Sequence, residues 1–276
     1  MTVQLFIMKK LSYTIFSLLI VLPAIVDAQS SYFTLGGKEE WLLNRLDIKT
    51  PSKVFSLSSI KPYNRKNWVK EIEVIDSLYN VQDKKVKQYS EVDKYNMQRL
   101  LMANSEWSKP REIYISEKPV LKNFYINRAN SFEKQDADYT IIANPVVNYQ
   151  QGSKAGNGQS TFLNQRGLSV RGLIGQKIGF HFYFTENQER QALYVQDWKN
   201  KYYAVPGAGY IKDFKIGGFD YFDIRGGVSW KVAKFMDMQL AYDRNFIGNG
   251  YRSLFLSDFS NNNMFLKVQT HFGKFN

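Results

Sequence analysis

The sequence predicts a mainly β protein, in which a small α-helical or mixed domain precedes the N-terminal part of an antiparallel outer-membrane β-barrel. Residues 136–276 contain six segments of alternating apolar and polar residues, and an extended chain places alternate side chains on opposite faces. The connections between these segments alternate between long and short, which is typical of outer-membrane barrels. An export signal precedes both regions. Together, these three observations predict the fold class.

Residues 1–28 have the features of a signal peptide. Lys9 and Lys10 form a positive start, an apolar stretch follows at residues 11–26, and small residues lead to a cleavage site after Ala28. The alternative is an N-terminal membrane anchor helix, but the apolar stretch is shorter than the roughly 20 residues that span a bilayer. The chain has no cysteine, which excludes lipoprotein attachment, disulfides and thiolate metal sites.

The charge favours an anionic surface as partner. Removal of residues 1–28 takes away Lys9, Lys10 and Asp27, so the net charge falls from +12 to +11. The basic residues are spread along an exported chain, which favours lipopolysaccharide or acidic glycan over nucleic acid. The 18 tyrosines, 20 phenylalanines and five tryptophans suit both interface girdles and surfaces that stack on sugars.

Residues 29–135 are interpreted as a small periplasmic domain on or beside the barrel mouth. We predict a short strand at residues 54–60, a helix from Arg65 to about residue 78 capped by Asn64, and a helix from Ser90 to about residue 104. Asp93 completes a capping box with Ser90. Residues 124–132 are predicted to connect this domain to the barrel, and no catalytic spacing is found here.

The six predicted strands occupy residues 139–149, 162–174, 177–189, 221–232, 236–242 and 263–274. Pro145 cannot donate to a strand ladder, so its position is predicted to lie at a sheet edge. The tight turns near residues 175 and 234 belong on the periplasmic side, and the long connections at 150–160, 188–218 and 246–262 belong outside. A soluble β-sandwich is the alternative, but charged residues recur on the polar faces of several strands, which favours the barrel.

Five side chains on the polar faces are predicted to line the lumen: Arg171, His181, Asp223, Arg225 and His271. Either histidine could serve a hydrolase, but the sequence places no serine and carboxylate beside them. Ion pairing among Asp223, Asp237 and Asp243 and the nearby Arg225, Lys231 and Arg244 is the favoured role for the charged groups. We therefore predict no catalytic residue, no metal and no cofactor.

The long connection at residues 188–218 contains the strongest binding candidates. Trp198, Tyr202, Tyr203 and Tyr210 lie among lysines, and aromatic faces stack on sugar rings while lysines can meet acidic groups. Arg252, in a glycine-rich stretch at residues 248–254, is a further glycan-binding candidate near the barrel mouth. The alternative is that these aromatics pack the loop on itself or form the outer girdle.

Several runs of residues resemble a known family. RGLSVRG at residues 166–172, YYAVPGAG at 202–209, YFDIRGG at 221–227 and FIGNGYRSLFLSDFSNN at 246–262 are similar to the gliding-motility RemB proteins of Bacteroidetes, relatives of the Wzi capsule-assembly outer-membrane proteins. NQER at residues 187–190 and the stretch at 43–66 add to the likeness. Members of that family are much longer, so we expect residues 136–276 to supply only the first six strands of a truncated barrel.

The resemblance implies a non-enzymatic surface protein that supports capsule or exopolysaccharide attachment, adhesion or gliding motility. Its partners would be outer-membrane lipid, surface polysaccharide and motility or adhesion proteins. A porin-like channel through a polar lumen is the main alternative, and an outer-membrane hydrolase that uses His181 or His271 is a third.

Overall fold

The computed structural model describes residues 31–49, 59–80, 89–121, 123–153, 160–175, 177–233, 235–250 and 253–270. The predicted signal peptide, most of the strand predicted at residues 54–60, Arg252 and His271 lie outside these ranges. No helix in the described part of the chain is both long enough and apolar enough to cross a membrane.

Three helices form the N-terminal region. They are α1 (Lys38–Lys49), α2 (Arg65–Asn80) and α3 (Glu91–Ala103), and a 3₁₀ turn follows at Glu112–Tyr114. Both predicted caps are confirmed: the Asn64 side chain accepts from the backbone of Asn67 at 3.1 Å, and Ser90 and Asp93 form the capping box. The helices close around a core that includes Leu43, Trp68, Ile72, Met97 and Leu101.

An ionic cluster joins α1 to α3. Asp93 on α3 accepts from Arg45 at 2.6 Å and from Lys49 at 2.5 Å, and its side chain is 1 % exposed. Burial alone would raise the pKa of the Asp93 carboxyl, but the hydrogen bonds from Arg45, Lys49 and Ser90 outweigh burial and hold this pKa well below its usual range. α1 itself was not predicted, because its Trp41 and Ile48 are exposed and blur the apolar stripe.

The rest of the chain is mainly β and forms one large antiparallel sheet. Its strands are β2 (Phe132–Gln135), β3 (Tyr139–Gly152), β4 (Thr161–Ile174), β5 (Ile178–Arg190), β6 (Lys212–Phe214), β7 (Gly218–Ala233), β8 (Met236–Asp243) and β10 (Asn263–Thr270). The order is β10-β8-β7-β5-β4-β3-β2, with β6 paired to the start of β7. A separate pair joins β1 (Ile60–Lys61) to β9 (Phe246–Ile247).

The six predicted strands are confirmed as β3, β4, β5, β7, β8 and β10, with residues 271–274 of the sixth outside the described ranges, and each pairs with the next in this series. The prediction that residues 124–132 only connect the two regions was wrong at its end, because Phe132 begins β2 and pairs with Ala143. The pairing of β2 with β3 extends no further than Phe132 and Ala143, so Pro145 lies beyond it, where β3 is the edge of the sheet. Among the described residues the sheet is not closed into a barrel, and β2 and β10 are its edges.

The polarity of the sheet is inverted relative to a water-soluble protein. Polar side chains on one face are buried: Thr185 and Asn187 are 0 % exposed and Gln239 is 1 % exposed. The opposite face carries a broad band of exposed apolar side chains, including Phe182, Phe222, Ile224, Leu240, Leu266 and Val268. The sheet therefore has one buried polar face and one exposed apolar face.

The N-terminal region contacts the polar face of the sheet through residues at and beyond the ends of its helices. Glu106, just after α3, receives Arg171 of β4 at 2.8 Å, and the backbone carbonyl of Leu35 accepts from Arg225 of β7 at 3.1 Å. β1 pairs with β9 beyond the far end of β8. The sequence placed this domain on or beside a barrel mouth. Its contacts with the polar face supply acceptors for two buried arginines of the strands, and its place relative to a barrel mouth stays a prediction.

Candidate functional site

A cavity of about 650 Å³ opens where the polar face of the sheet meets the long connection between β5 and β7. We call it the α4 pocket, after the helix α4 (Leu193–Tyr202) that forms one of its walls. Its other walls are strand ends and two loops, and the residues used below are Glu189, Gln191, Tyr194, Trp198, Asp223, Arg225, Arg244 and Asp258. The volume is in the range of small-molecule sites.

A small apolar cluster holds α4 in place. Val195 on the inner face of the helix packs with Val205 and with Phe219, which is fully buried at the start of β7. The helix ends at Tyr203, whose backbone is left-handed at φ 54° and donates to the carbonyl of Lys199 at 2.7 Å. The sequence predicts a loop here, because the apolar contact of the helix depends on Phe219, which lies 24 residues after Val195 in the chain.

The outer wall of the α4 pocket is aromatic. Tyr194 and Trp198 lie one helical turn apart and are 77 % and 48 % exposed. The Trp198 ring contacts the Tyr202 ring with centroids 4.6 Å apart, which holds the indole in one orientation. An exposed and oriented indole is a suitable surface for stacking against the apolar face of a sugar ring.

The floor of the pocket is a buried charge cluster. Arg225 donates from Nε to Asp223 Oδ1 at 3.0 Å and from its terminal nitrogen to Asp223 Oδ2 at 2.6 Å. The Asn262 amide also donates to Asp223 at 2.9 Å, and Arg244 lies 3.7 Å from the same carboxylate. Such bidentate pairing fixes both side chains and makes the floor rigid.

Arg244 ties the loops around the pocket together. Its guanidinium donates to the carbonyls of Gly207 and Asp258 and to the Asn262 side chain, so one residue after β8 joins three loop positions. Burial, and then the neighbouring Arg225 charge, lower the pKa of Arg244, while Asp223 raises it. The pocket is therefore organised before any ligand enters.

Hydrogen-bonding groups line the space between the aromatic wall and the charged floor. Glu189 accepts from the Gln191 amide at 2.7 Å and from the Tyr221 hydroxyl at 3.2 Å. Glu189 accepts two of the roughly four hydrogen bonds that a carboxylate can accept, so it can also pair with sugar hydroxyls, whereas Asp223 and Leu35 engage the Arg225 guanidinium. The composition fits a hydroxyl-rich ligand better than a strongly acidic one.

The predicted glycan-binding residues fall into three groups. Trp198 lines the α4 pocket, and Tyr202 contributes by contact with Trp198. Tyr203 and Tyr210 are 87 % and 83 % exposed and are not among the residues that line the pocket. Arg252 lies outside the described residues. The structure thus brings together part of the predicted set.

The predicted lumen residues lie on the polar face of the sheet where the structure describes them. Arg171 is bound to Glu106, Asp223 is bound to Arg225, and Nε2 of His181 lies 3.0 Å from a carboxylate oxygen of Asp243. Arg171 contacts the helical region, Asp223 lines the α4 pocket, and His181 contacts a neighbouring part of the sheet. Whether this face belongs to the lumen of a barrel stays a prediction, and His271 is not described.

The arrangement gives no support to a hydrolase. A serine nucleophile needs a base within hydrogen-bonding distance, and in the described ranges His181 has Asp243 as its hydrogen-bond partner, with no serine hydroxyl bonded to it. No group of three or more His, Asp or Glu side chains in those ranges is placed to hold a metal ion.

The sequence did not single out several residues of the site. Glu189 lies in the NQER run and Asp258 in the family-like run at residues 246–262, but neither is given a role, and Gln191 and Tyr194 are not named. One signal could have found Tyr194: it precedes Trp198 by four residues, the spacing of one helical face. No local signal marks Asp258, because its place depends on the Arg244 contacts.

No protein-family model, no curated protein and no solved structure matches this chain. The function is therefore inferred from the chain's own residues and geometry, together with the resemblance in its motifs.

Proposed function

We propose that the protein is a non-enzymatic outer-membrane surface protein that holds surface polysaccharide in the α4 pocket. The single observation that carries this proposal is the pairing of an exposed, oriented Trp198 with the carboxylate and amide groups of Glu189 and Gln191 across one preformed cavity. Aromatic stacking combined with fixed polar partners is the common way in which proteins recognise sugars. Attachment of capsule or exopolysaccharide, adhesion and gliding are the roles that the motif resemblance suggests for such binding.

The inverted sheet supports a place in the outer membrane. Leu240 on β8, Leu266 on β10 and Phe182 on β5 are 43 %, 57 % and 44 % exposed, and polar side chains are buried on the other face of the sheet. Burial of such a band in lipid is favourable at about 25 cal/mol per Å² of apolar surface. The α4 pocket lies at the end of the sheet with the long connections, which the predicted orientation places at the cell surface.

The pocket favours a hydroxyl-rich sugar over the acidic sugar expected from the lysines. Lys199 pairs with Asp213 outside the pocket, and the Lys201 ammonium lies over the Tyr202 ring at 5.1 Å. Neither lysine lines the cavity. The cations that do line it, Arg225 and Arg244, are engaged with protein groups.

The packing of the helices weighs against the porin-like alternative. An open channel needs a polar face that water can reach, whereas Arg171 and Arg225 donate to groups of the N-terminal region at 2.8 and 3.1 Å. Removal of the helical region would leave both guanidinium groups without these acceptors. The polar face is therefore better explained as the surface against which the helical region packs than as the wall of a conducting pore.

Trp198→Ala tests the proposal. We expect cells that carry this variant to retain several-fold less surface polysaccharide, with equal amounts of protein in the outer-membrane fraction, because the stacking surface is lost. Tyr210→Ala is the matched control: it removes an aromatic ring that is 83 % exposed in the same connection but outside the pocket. Equal retention by the Trp198→Ala variant, the control and the unchanged protein would refute glycan binding at this site.

A further inference from the structure

A second cavity, of about 600 Å³, lies beside the α4 pocket. We call it the α1 cleft, since Glu40, Trp41, Asn44 and Asp47 of α1 form one side of it. The opposite side is built from residues that follow β8. Asp258 lines both the α1 cleft and the α4 pocket, so the two cavities meet at this residue.

The walls of the α1 cleft are held by contacts between distant segments. Lys61 pairs with Glu40 at 2.6 Å, and its ammonium lies 5.5 Å from the centre of the Tyr63 ring and 5.1 Å from that of Phe246. The backbone of Gly248 donates to the carbonyl of Ser59 at 2.8 Å, which continues the pairing of β1 with β9. The cleft is thus a built cavity between the helices and the outer loop.

The α1 cleft repeats the chemistry of the α4 pocket. Trp41 is 65 % exposed and offers an indole surface, and Asn44 and Asp47 follow it on the same side of the helix. The Asn44 carbonyl oxygen accepts from the Tyr63 hydroxyl at 2.8 Å, which orients the amide. An exposed indole beside oriented amide and carboxylate groups suits a sugar ring and its hydroxyls.

We infer that the two cavities are subsites of one groove for a linear glycan, whose chain passes Asp258 and stacks on Trp198 at one end and on Trp41 at the other. This inference rests on the proposed function of the α4 pocket and extends it from a sugar to an extended polymer. Two modest subsites on one chain gain from linkage, since the second contact forms at high effective concentration. Short fragments would occupy the α4 pocket alone.

The test compares ligands of two lengths on the full chain in detergent micelles. The probes are the surface polysaccharide purified from the cells that make the protein, either intact or cut by mild acid into fragments of one to two sugars. Binding is measured by biolayer interferometry for the unchanged protein, Trp41→Ala, Trp198→Ala and Tyr95→Ala. Tyr95 is the matched control, because it is 60 % exposed on the neighbouring helix α3 and lines neither cavity.

We expect Trp41→Ala to weaken binding of the intact polymer about fivefold to tenfold, the loss that corresponds to one aromatic contact, and to leave fragment binding unchanged. Trp198→Ala should weaken both. Equal polymer binding by Trp41→Ala and Tyr95→Ala would overturn the groove while leaving the α4 pocket intact as a site. A loss of fragment binding in Trp41→Ala would also overturn it, because the two cavities would not then act as separate subsites. Failure of the unchanged protein to bind either probe would instead refute the proposed function itself.

Discussion

Replacement of Glu106 by glutamine tests the contact that seats the helices on the sheet. Glu106 accepts from Arg171 Nε at 2.8 Å and from a terminal nitrogen at 3.4 Å. The two side chains are 4 % and 14 % exposed, so water cannot replace the lost carboxylate. Removal of one partner from a buried ion pair costs about 3–5 kcal/mol, because the other charge is left buried and unpaired.

A second buried guanidinium places the expected loss toward the upper part of that range. Burial, and then the charge of Arg171, lower the pKa of Arg65 to about 9, and Glu106 acts in the opposite direction. Glu106 therefore lies between two arginine charges. In the Glu106→Gln variant these charges repel each other without a carboxylate to offset them.

The assay is urea unfolding of the full chain in detergent micelles, followed by tryptophan fluorescence. The control is Glu117→Gln, which removes a carboxylate 3.7 Å from Arg128 that is 87 % exposed. Exposed pairs contribute about 0–1 kcal/mol, so the control should unfold almost as the unchanged protein does. A free energy of unfolding for Glu106→Gln within about 1 kcal/mol of the control would refute this account of how the helices are held.

Three further predictions concern the helices, the apolar face and the loops. The pKa of Asp93 in the folded protein lies below its unfolded value of about 3.9, so its contribution to stability is complete above that pH and is lost as the pH falls below about 4. The melting temperature should therefore fall less steeply between pH 6 and pH 2.5 in Asp93→Asn than in the unchanged protein. Leu240→Lys should lower the free energy of unfolding in lipid vesicles by about 2–4 kcal/mol. The control Val92→Lys, on an exposed helix face, should change it by under about 0.5 kcal/mol, and equal losses would speak against lipid contact at Leu240. Arg244→Ala should speed proteolytic cleavage within residues 253–262, because the guanidinium no longer holds that loop through Asn262. Mass spectrometry measures the cleavage rate, and an unchanged rate would show that other contacts hold the loop.

The strands and two of the helices were predictable because their signals are local. Alternation in residues 177–189 depends only on which residues are two apart, and the structure places β5 at Ile178–Arg190. The caps at Asn64 and Ser90 likewise lie within three residues of their partners. α1 escaped prediction because its buried residues are few, Leu43 and Leu46, and its exposed ones are also apolar.

The packing of the helical region against the sheet and most of the α4 pocket could not be predicted, because both depend on contacts between residues that are far apart in the sequence. Arg171 was predicted to line a lumen, and nothing near it in sequence indicates Glu106, which lies 65 residues earlier. Trp198 was identified from its residue type alone. Glu189 and Asp258 line the same pocket as Trp198 only because the chain folds back and because Arg244 holds the loop that carries Asp258.

The contact of the helical region with the polar face also has a consequence for the order of folding. The contacts within the helical region are comparatively local, and Arg45 meets Asp93 48 residues later. The contacts between that region and the sheet close much larger loops: the Tyr32 hydroxyl donates to Gln269, 237 residues away. Because contacts between distant residues form slowly, we expect the helices to fold before β10 joins them. The folded helical region would then present the surface on which the polar face of the sheet assembles.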